Sequence, residues 1–342
     1  MILNAIIFTI LYFILNEFFI RNNIFLDKVE TSKHKNNVAT SNKTPLTGGL
    51  ILVIFLLFTP IVDNKILIFS ILSIYVLGLL SDLNILTSPS KRIFFQLIII
   101  VSFIIVGSVE VKTIYIGFFD QMLKSNSFNI IFLLSCLLVL VNGSNFLDGL
   151  NTLVVTYYIL CLSTIFISAY HYNLNLDYEI FKNILMILTI VFLFNFFGKS
   201  FFGDSGTYSL AFLIGTICIK FIYENPQAVS PYFIALLLWY PATENLFSII
   251  RRVILKKNLS VADNLHLHHL IYLFFLKKKY FINKVFTNSF SGIFINLYNL
   301  TIIAISFFFI NNSKILILII FFNLLIYFFT YVLLRKLFLS QK

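Results

Sequence analysis

Residues 129–150 read NIIFLLSCLLVLVNGSNFLDGL. From Asn129 to Leu147 the run carries no charge, and the first acid, Asp148, arrives where the apolar stretch ends. An uncharged apolar segment of about 18 residues or more is long enough to cross the bilayer hydrocarbon as a helix. The end of the run is polar at a regular spacing. Asn142, Asn145 and Asp148 fall three apart and so share one helical face. The bland reading is a helix end with polar caps. The functional reading is a polar wall for a metal complex or nucleotide.

The pattern recurs along the chain. Of 342 residues, 59% are hydrophobic and 11% charged, and the mean hydropathy is +0.95. A soluble domain carries about 25% charged residues, so a cytosolic enzyme, a disordered chain and a disulfide scaffold are excluded. Windows of about 19 residues predict helices at 2–20, 46–62, 65–81, 92–109, 129–146, 151–170, 182–198, 207–222, 231–250, 288–310 and 314–335. The expected fold is all-α, a polytopic integral membrane protein of about 10–11 transmembrane helices, in a single domain over 1–342. Pro60 to Asn64 reads as a tight turn, and Ile271–Leu276, followed by three lysines, as an interfacial segment. The first apolar run lacks a basic flank and a cleavage site, so it reads as a retained span. Cys136, Cys161 and Cys218 are widely spaced and read as packing residues.

The net charge of +11 is unevenly placed. Most of the 25 Lys and Arg fall in alternate loops on one side, which predicts that side to be cytoplasmic and the N-terminus outside. The polar motifs gather on the same side. Lys43 precedes Thr44-Pro45-Leu46-Thr47-Gly48-Gly49, a loop leading into a helix. Ser81-Asp82 is followed by Lys91, Arg92 and Gln96; Asp82 reads either as a loop residue or as a base or metal partner, and the two cations as membrane anchors before ligands. Gly203-Asp204-Ser205-Gly206, after Asn195 and Lys199, reads either as a helix N-cap or as a hard carboxylate for Mg²⁺. Three of the five histidines, His266, His268 and His269, follow Arg251 and Arg252. Without a cysteine or carboxylate set at zinc spacing, these suit a sugar phosphate or pyrophosphate better than zinc. Such a kit of acids, amides and cations at helix ends fits phosphoryl transfer at a diphosphate. A transporter would more often place its polar groups at mid-membrane.

In order and on one membrane face, these motifs resemble the polyprenyl-phosphate N-acetylhexosamine-1-phosphate transferase superfamily, glycosyltransferase family 4, with the undecaprenyl-phosphate GlcNAc-1-phosphate transferases. The resemblance runs from about Asp27 to Leu270. It rests on Lys43 to Gly49, on Ser81-Asp82 with Lys91 and Gln96, and on Asn142-x-x-Asn145-x-x-Asp148-Gly149. Asn195, Lys199 and Gly203-Asp204-x-Gly206 form its fourth motif, and the His266-x-His268-His269 loop its fifth. The resemblance implies transfer of a HexNAc-1-phosphate from a UDP-N-acetylhexosamine to undecaprenyl phosphate, with release of UMP. It implies Asp204 as metal ligand for Mg²⁺ (or Mn²⁺), and Asp82 and Asp148 as catalytic. Lys43, Asn142, Asn145, Asn195, Lys199, Arg251, Arg252, His266, His268 and His269 would bind substrate. The implied setting is the cytoplasmic face of a bacterial inner membrane, at the start of surface polysaccharide or O-antigen synthesis, with membrane lipid and no nucleic acid as partner. No residue fixes the oligomeric state, and a homodimer is left open.

Two departures stand out. Ser81 replaces the first acid of an Asp-Asp pair, and Asn151 replaces a further acid downstream of Asp148. They leave room for a non-catalytic homologue that binds a lipid-linked sugar. A multi-span anion transporter or flippase is the remaining alternative.

Overall fold

A computed structural model describes residues 2–27, 44–58, 64–256, 265–281 and 283–339. The described chain is helical, with no strand beyond one isolated bridge between Leu26 and Pro45. Its helices are α1 (Ile2–Arg21), α2 (Gly48–Phe58), α3 (Lys65–Asp82), α4 (Pro89–Val106), α5 (Gly117–Leu123), α6 (Asn126–Leu147) and α7 (Leu153–His171). Then come α8 (Tyr178–Phe196), α9 (Gly203–Glu224), α10 (Pro231–Leu237), α11 (Trp239–Ile254), α12 (Leu267–Lys278), α13 (Lys284–Phe307) and α14 (Ser313–Leu339). Nine of these are long and apolar enough to cross a membrane, or ten with α10 and α11 taken as one bent span. The polytopic all-α expectation is therefore met. Of the second expected span, 46–62, residues 46–58 are described and Gly48–Phe58 form α2, and the rest of it, with most of the turn expected at Pro60 to Asn64, lies outside the described residues. Asn64 itself caps α3, its side-chain oxygen accepting from the N–H groups of Ile66 and Leu67 at 3.1 Å each.

The expected span at 231–250 is broken. α10 and α11 meet at Leu238 with a bend of 71°. Pro241 has no N–H, and its ring crowds the carbonyl four residues back, that of Leu237. The freed backbone groups must be met inside the protein, because lipid offers them no partner. Tyr157 on α7 meets two of them. Its hydroxyl donates to the Leu237 carbonyl at 2.7 Å and accepts from the Tyr240 N–H at 3.2 Å. Cys161, one turn on, also reaches the Leu237 carbonyl.

α9 is the central helix. Within its most apolar window 78% of residues are buried, against 17% for α1 and 22% for α14. The cause is visible in GDSGTYSLAFLIGT, residues 203–216, which is rich in small residues. Between membrane helices, close backbone approach replaces the hydrophobic drive available in water. A Cβ on Gly49 of α2 would lie 2.5 Å from the Gly206 Cα, and one on Gly78 of α3 only 2.4 Å from the Ser205 Cα. These contacts hold α2 and α3 against the first turn of α9.

Candidate active site

Asp82 is the last residue of α3 and caps α9 from outside it. The first N–H groups of an α-helix have no partner within the helix, and Phe202, which precedes α9, supplies no side-chain cap. The Asp82 carboxylate takes that place. Oδ1 accepts from the Asp204 N–H at 2.8 Å, and Oδ2 from the Ser205 N–H at 3.0 Å and the Ser205 hydroxyl at 2.7 Å. A negative charge there is also favoured by the helix dipole. Gly203 makes the approach feasible. Its φ is +69°, and a Cβ on it would sit 2.8 Å from Asp82 Oδ2.

With the backbone so fixed, the Asp204 side chain points to a second set of partners. Its Oδ2 accepts from the Ser81 hydroxyl at 2.5 Å and from Arg92 Nη1 at 2.7 Å. Arg92 Nη1 also lies 2.9 Å from Ser81 Oγ and 3.5 Å from the Tyr208 hydroxyl. Arg92 therefore enters the cluster, whereas its neighbour Lys91 is exposed. The polar wall of α6 flanks this cluster. The Asn145 amide donates to the Tyr208 hydroxyl at 3.4 Å, while Asn142 donates to Gln96 Oε1 at 2.8 Å. Asp148 follows as the half-buried C-cap of α6.

The histidine loop is held by a residue that sequence reading passed over. Glu244 on α11 is 1% exposed. Its Oε2 lies 2.9 Å from His266 Nδ1, and its Oε1 accepts from the Leu267 N–H at 3.2 Å. His268 Nδ1 is 3.7 Å from the same carboxylate. The three imidazoles pack together, with His266 stacked on His268 and His269 at a steep angle to both. His268 is fully enclosed, and burial pushes it below the ordinary histidine pKa despite the carboxylate nearby. The signal for Glu244 was available, since an acid inside an apolar span is a functional candidate by default. Gly149 joins this cluster to the α6 wall. A Cβ there would meet His269 Nε2 at 2.3 Å and His268 Nε2 at 3.0 Å, so the chain after Asp148 lies directly on the imidazoles.

The remaining expected residues take other places. Arg251 is buried and donates to the Leu265 carbonyl and to the Tyr331 hydroxyl, anchoring the chain that carries the histidines. Arg252 is buried in the last turn of α11. Asn195 accepts from the Thr152 N–H and donates to the Ser200 carbonyl at 2.8 Å, which ties two loops together. Lys199 is exposed, and Lys43 lies outside the described residues. Asn151 faces α13. Its N–H donates to Asn288 Oδ1 at 2.6 Å and its amide to Ser289 Oγ at 3.3 Å. Ser289 in turn spends its one proton on the Phe196 carbonyl.

Among the described residues no group of three or more His, Cys, Asp or Glu side chains could hold a metal ion. Both Asp82 oxygens are engaged with α9. The Asp204 carboxylate, by contrast, is one quarter exposed and paired with Arg92. This donor set does not fit a closed protein cage. It fits a hydrated Mg²⁺, which is commonly held by one or two carboxylates together with water and substrate phosphates.

Residues 65–222 match the family described as Glycosyl transferase family 4. That segment contains Asp82, Arg92, Asp148 and Asp204. The match covers just under half of the chain, and over it the chain is similar to this family. A probable undecaprenyl-phosphate N-acetylglucosaminyl 1-phosphate transferase of Bacillus subtilis is 29% identical over 142 residues, covering 41% of this chain and 39% of that protein. An undecaprenyl-phosphate alpha-N-acetylglucosaminyl 1-phosphate transferase of Thermotoga maritima is 27% identical over 251 residues, covering 73% and 74%. The Bacillus alignment thus spans about two-fifths of that relative's length. Within the glycosyl transferase family 4 match, Asp204 and Asp82 are in direct contact through the start of α9. The histidines and Glu244 lie beyond it.

Proposed function

We propose that the protein transfers a HexNAc-1-phosphate from a UDP-sugar to undecaprenyl phosphate, at the cytoplasmic face of a bacterial inner membrane. The product would open lipid-linked synthesis of a surface polysaccharide such as O-antigen. The observation that carries this reading is the convergence of Asp204, Asp82, Arg92 and Asn145 around the start of α9. The names of the two relatives support the lipid phosphate and the transferred group.

In the proposed reaction an oxygen of the lipid phosphate attacks the sugar-linked phosphorus. The bond from that phosphorus to the bridging oxygen breaks, and the bridging oxygen leaves with its electron pair on UMP. A phosphate monoester has its second pKa near 6, so the lipid phosphate is largely deprotonated at neutral pH. It needs no general base. The serine at position 81 and the engagement of Asp82 as a helix cap are therefore compatible with turnover. Asp204 would hold a hydrated Mg²⁺, which when bound neutralises charge on the diphosphate. Asp82 fixes the backbone from which Asp204 projects. Asn145 and Tyr208 bound the same space, and the histidine loop meets the adjoining Asp148-Gly149 turn.

The test is UMP release by purified protein in nanodiscs, supplied with undecaprenyl phosphate and a panel of UDP-HexNAc donors. Release that needs both lipid and Mg²⁺, and vanishes in Asp204→Asn, is the expected result. Folded protein that binds lipid phosphate yet releases no UMP from any donor would overturn the proposal in favour of a non-catalytic sugar-lipid binder.

A further inference from the structure

α1 meets the rest of the protein along one stripe. Phe8, Tyr12 and Asn16, four residues apart, are its buried residues, while Ile6, Ile10 and Phe13 on its other side are exposed. Phe8 packs on Phe55 of α2, and Tyr12 on Phe194 of α8. Towards Arg21 the stripe turns polar. The Asn16 amide nitrogen is enclosed with no acceptor, a cost that a leucine there would avoid. Polar groups inside a span are expensive and call for a role beyond packing.

Tyr12 and Asn16 bond to the two chain segments that lead into the site. The Tyr12 hydroxyl donates to Ser200 Oγ at 2.7 Å. Ser200 Oγ lies 2.9 Å from Thr47 Oγ1, and Thr47 donates to Asn16 Oδ1. Thr47 has one proton, which goes to Asn16, so Ser200 gives its own to Thr47. One directed chain results, from Tyr12 through Ser200 and Thr47 to Asn16, and all four residues are buried.

Backbone bonds tie the same segments together. The Phe201 N–H donates to the Pro45 carbonyl and the Gly48 N–H to the Phe201 carbonyl, each at 3.0 Å. The Thr44 hydroxyl donates to the Gly198 carbonyl at 3.1 Å. Ser200 stands four residues before Asp204, and between them the chain turns at Gly203 with a φ of +69°. A shift of the 198–202 loop is therefore a shift of the Asp204 and Ser205 N–H groups against Asp82, and of the Asp204 carboxylate against Arg92.

We propose that Tyr12, Asn16, Thr47 and Ser200 are positioning residues of the Asp204 site. Their hydrogen bonds fix the 198–202 loop and, through it, the start of α9, so the first span is part of the working site and more than an anchor. The proposal deepens the transferase reading and rests on it for the turnover that is measured.

The experiment uses the full chain in nanodiscs and compares wild type with Tyr12→Phe, Thr47→Val and Thr47→Ser. Three quantities are read: kcat and KM for UMP release, the thermal midpoint, and hydrogen–deuterium exchange of the amides at 203–206. Tyr12→Phe and Thr47→Val keep the shape and remove a hydroxyl. Each is expected to lower kcat by about ten-fold or more, since a misplacement of about 1 Å can cost about a hundred-fold. Each should also speed exchange at 203–206, with KM changing less than kcat and the midpoint held. Thr47→Ser is expected to recover rate and protection. Unchanged kcat, or unchanged exchange at 203–206, in both hydroxyl-free variants overturns the proposal. A loss of rate that tracks a fallen midpoint, failure of both variants to fold, or a Thr47→Ser that behaves like Thr47→Val also overturns it, because each assigns these bonds to helix anchoring alone. Wild type that releases no UMP sinks the transferase reading instead, and the proposal then stands or falls on exchange at 203–206.

Discussion

Two charged clusters flank the polar wall at the end of α6, and they are built differently. Around Asp204 the carboxylate and its guanidinium are both partly exposed, and their partners come from α3, α4 and α9. Around Glu244 the carboxylate is sealed, its partners being His266 and the Leu267 N–H. The first cluster is open enough to exchange partners with a ligand. The second is closed and sets the shape of the loop against which a ligand would lie. Charge at a helix end thus serves two ends here, and exposure rather than residue type separates them.

Substitutions can separate the clusters further. Asp204→Asn should lower UMP release by about a thousand-fold, because it removes the carboxylate offered to a metal and to Arg92, with little change in thermal midpoint. A large fall in midpoint would erase the contrast. Glu244→Gln should behave in the opposite way. It leaves buried histidine nitrogens poorly matched, so unfolding should become easier by about 2 kcal/mol, read in a detergent melt, with activity falling alongside. Asn151→Asp should cost about 1 kcal/mol and should not raise activity, although it restores an acid where the family pattern has one. Ser289 has no proton left to offer that carboxylate. The smallest effect is in pH. His268 is held below its ordinary pKa by burial, opposed by Glu244 and reinforced by the charge of His266. Below about pH 6.5 the unfolded chain takes up a proton that the folded chain resists. Melting temperature should therefore drop as pH falls from about 6.5, and Glu244→Gln should steepen that drop.

The spans were legible because apolar length is written directly into the sequence, as in residues 129–147. The bend at Leu238 was less so, since a hydropathy window averages across Pro241 and cannot show that Tyr157, far back in the chain, meets the exposed backbone. Asp82 and Asp204 could be read as a site, but not that one caps the helix that carries the other. That relation depends on α3 and α9 touching through Gly78, a contact between residues more than 100 positions apart. Arg92 was legible as a cation only; its side of α4 faces the cluster, and Lys91, one step around the helix, faces away. Glu244 was the miss with a readable sign, an acid inside an apolar span.

The Asp82 cap has a consequence for biogenesis. The chain is made from its N-terminus, so α3 is in place well before the first turn of α9 emerges. Until then the carboxylate at the foot of α3 has no helix start to neutralise it, and the first turn of α9 has no cap when it arrives. Each end completes the other. A partly inserted chain cannot hold a half-formed centre that binds substrate prematurely, and arrival of α9 is the event that locks the early helices. Truncation before Gly203 should accordingly leave α2 and α3 loosely associated and open to proteases.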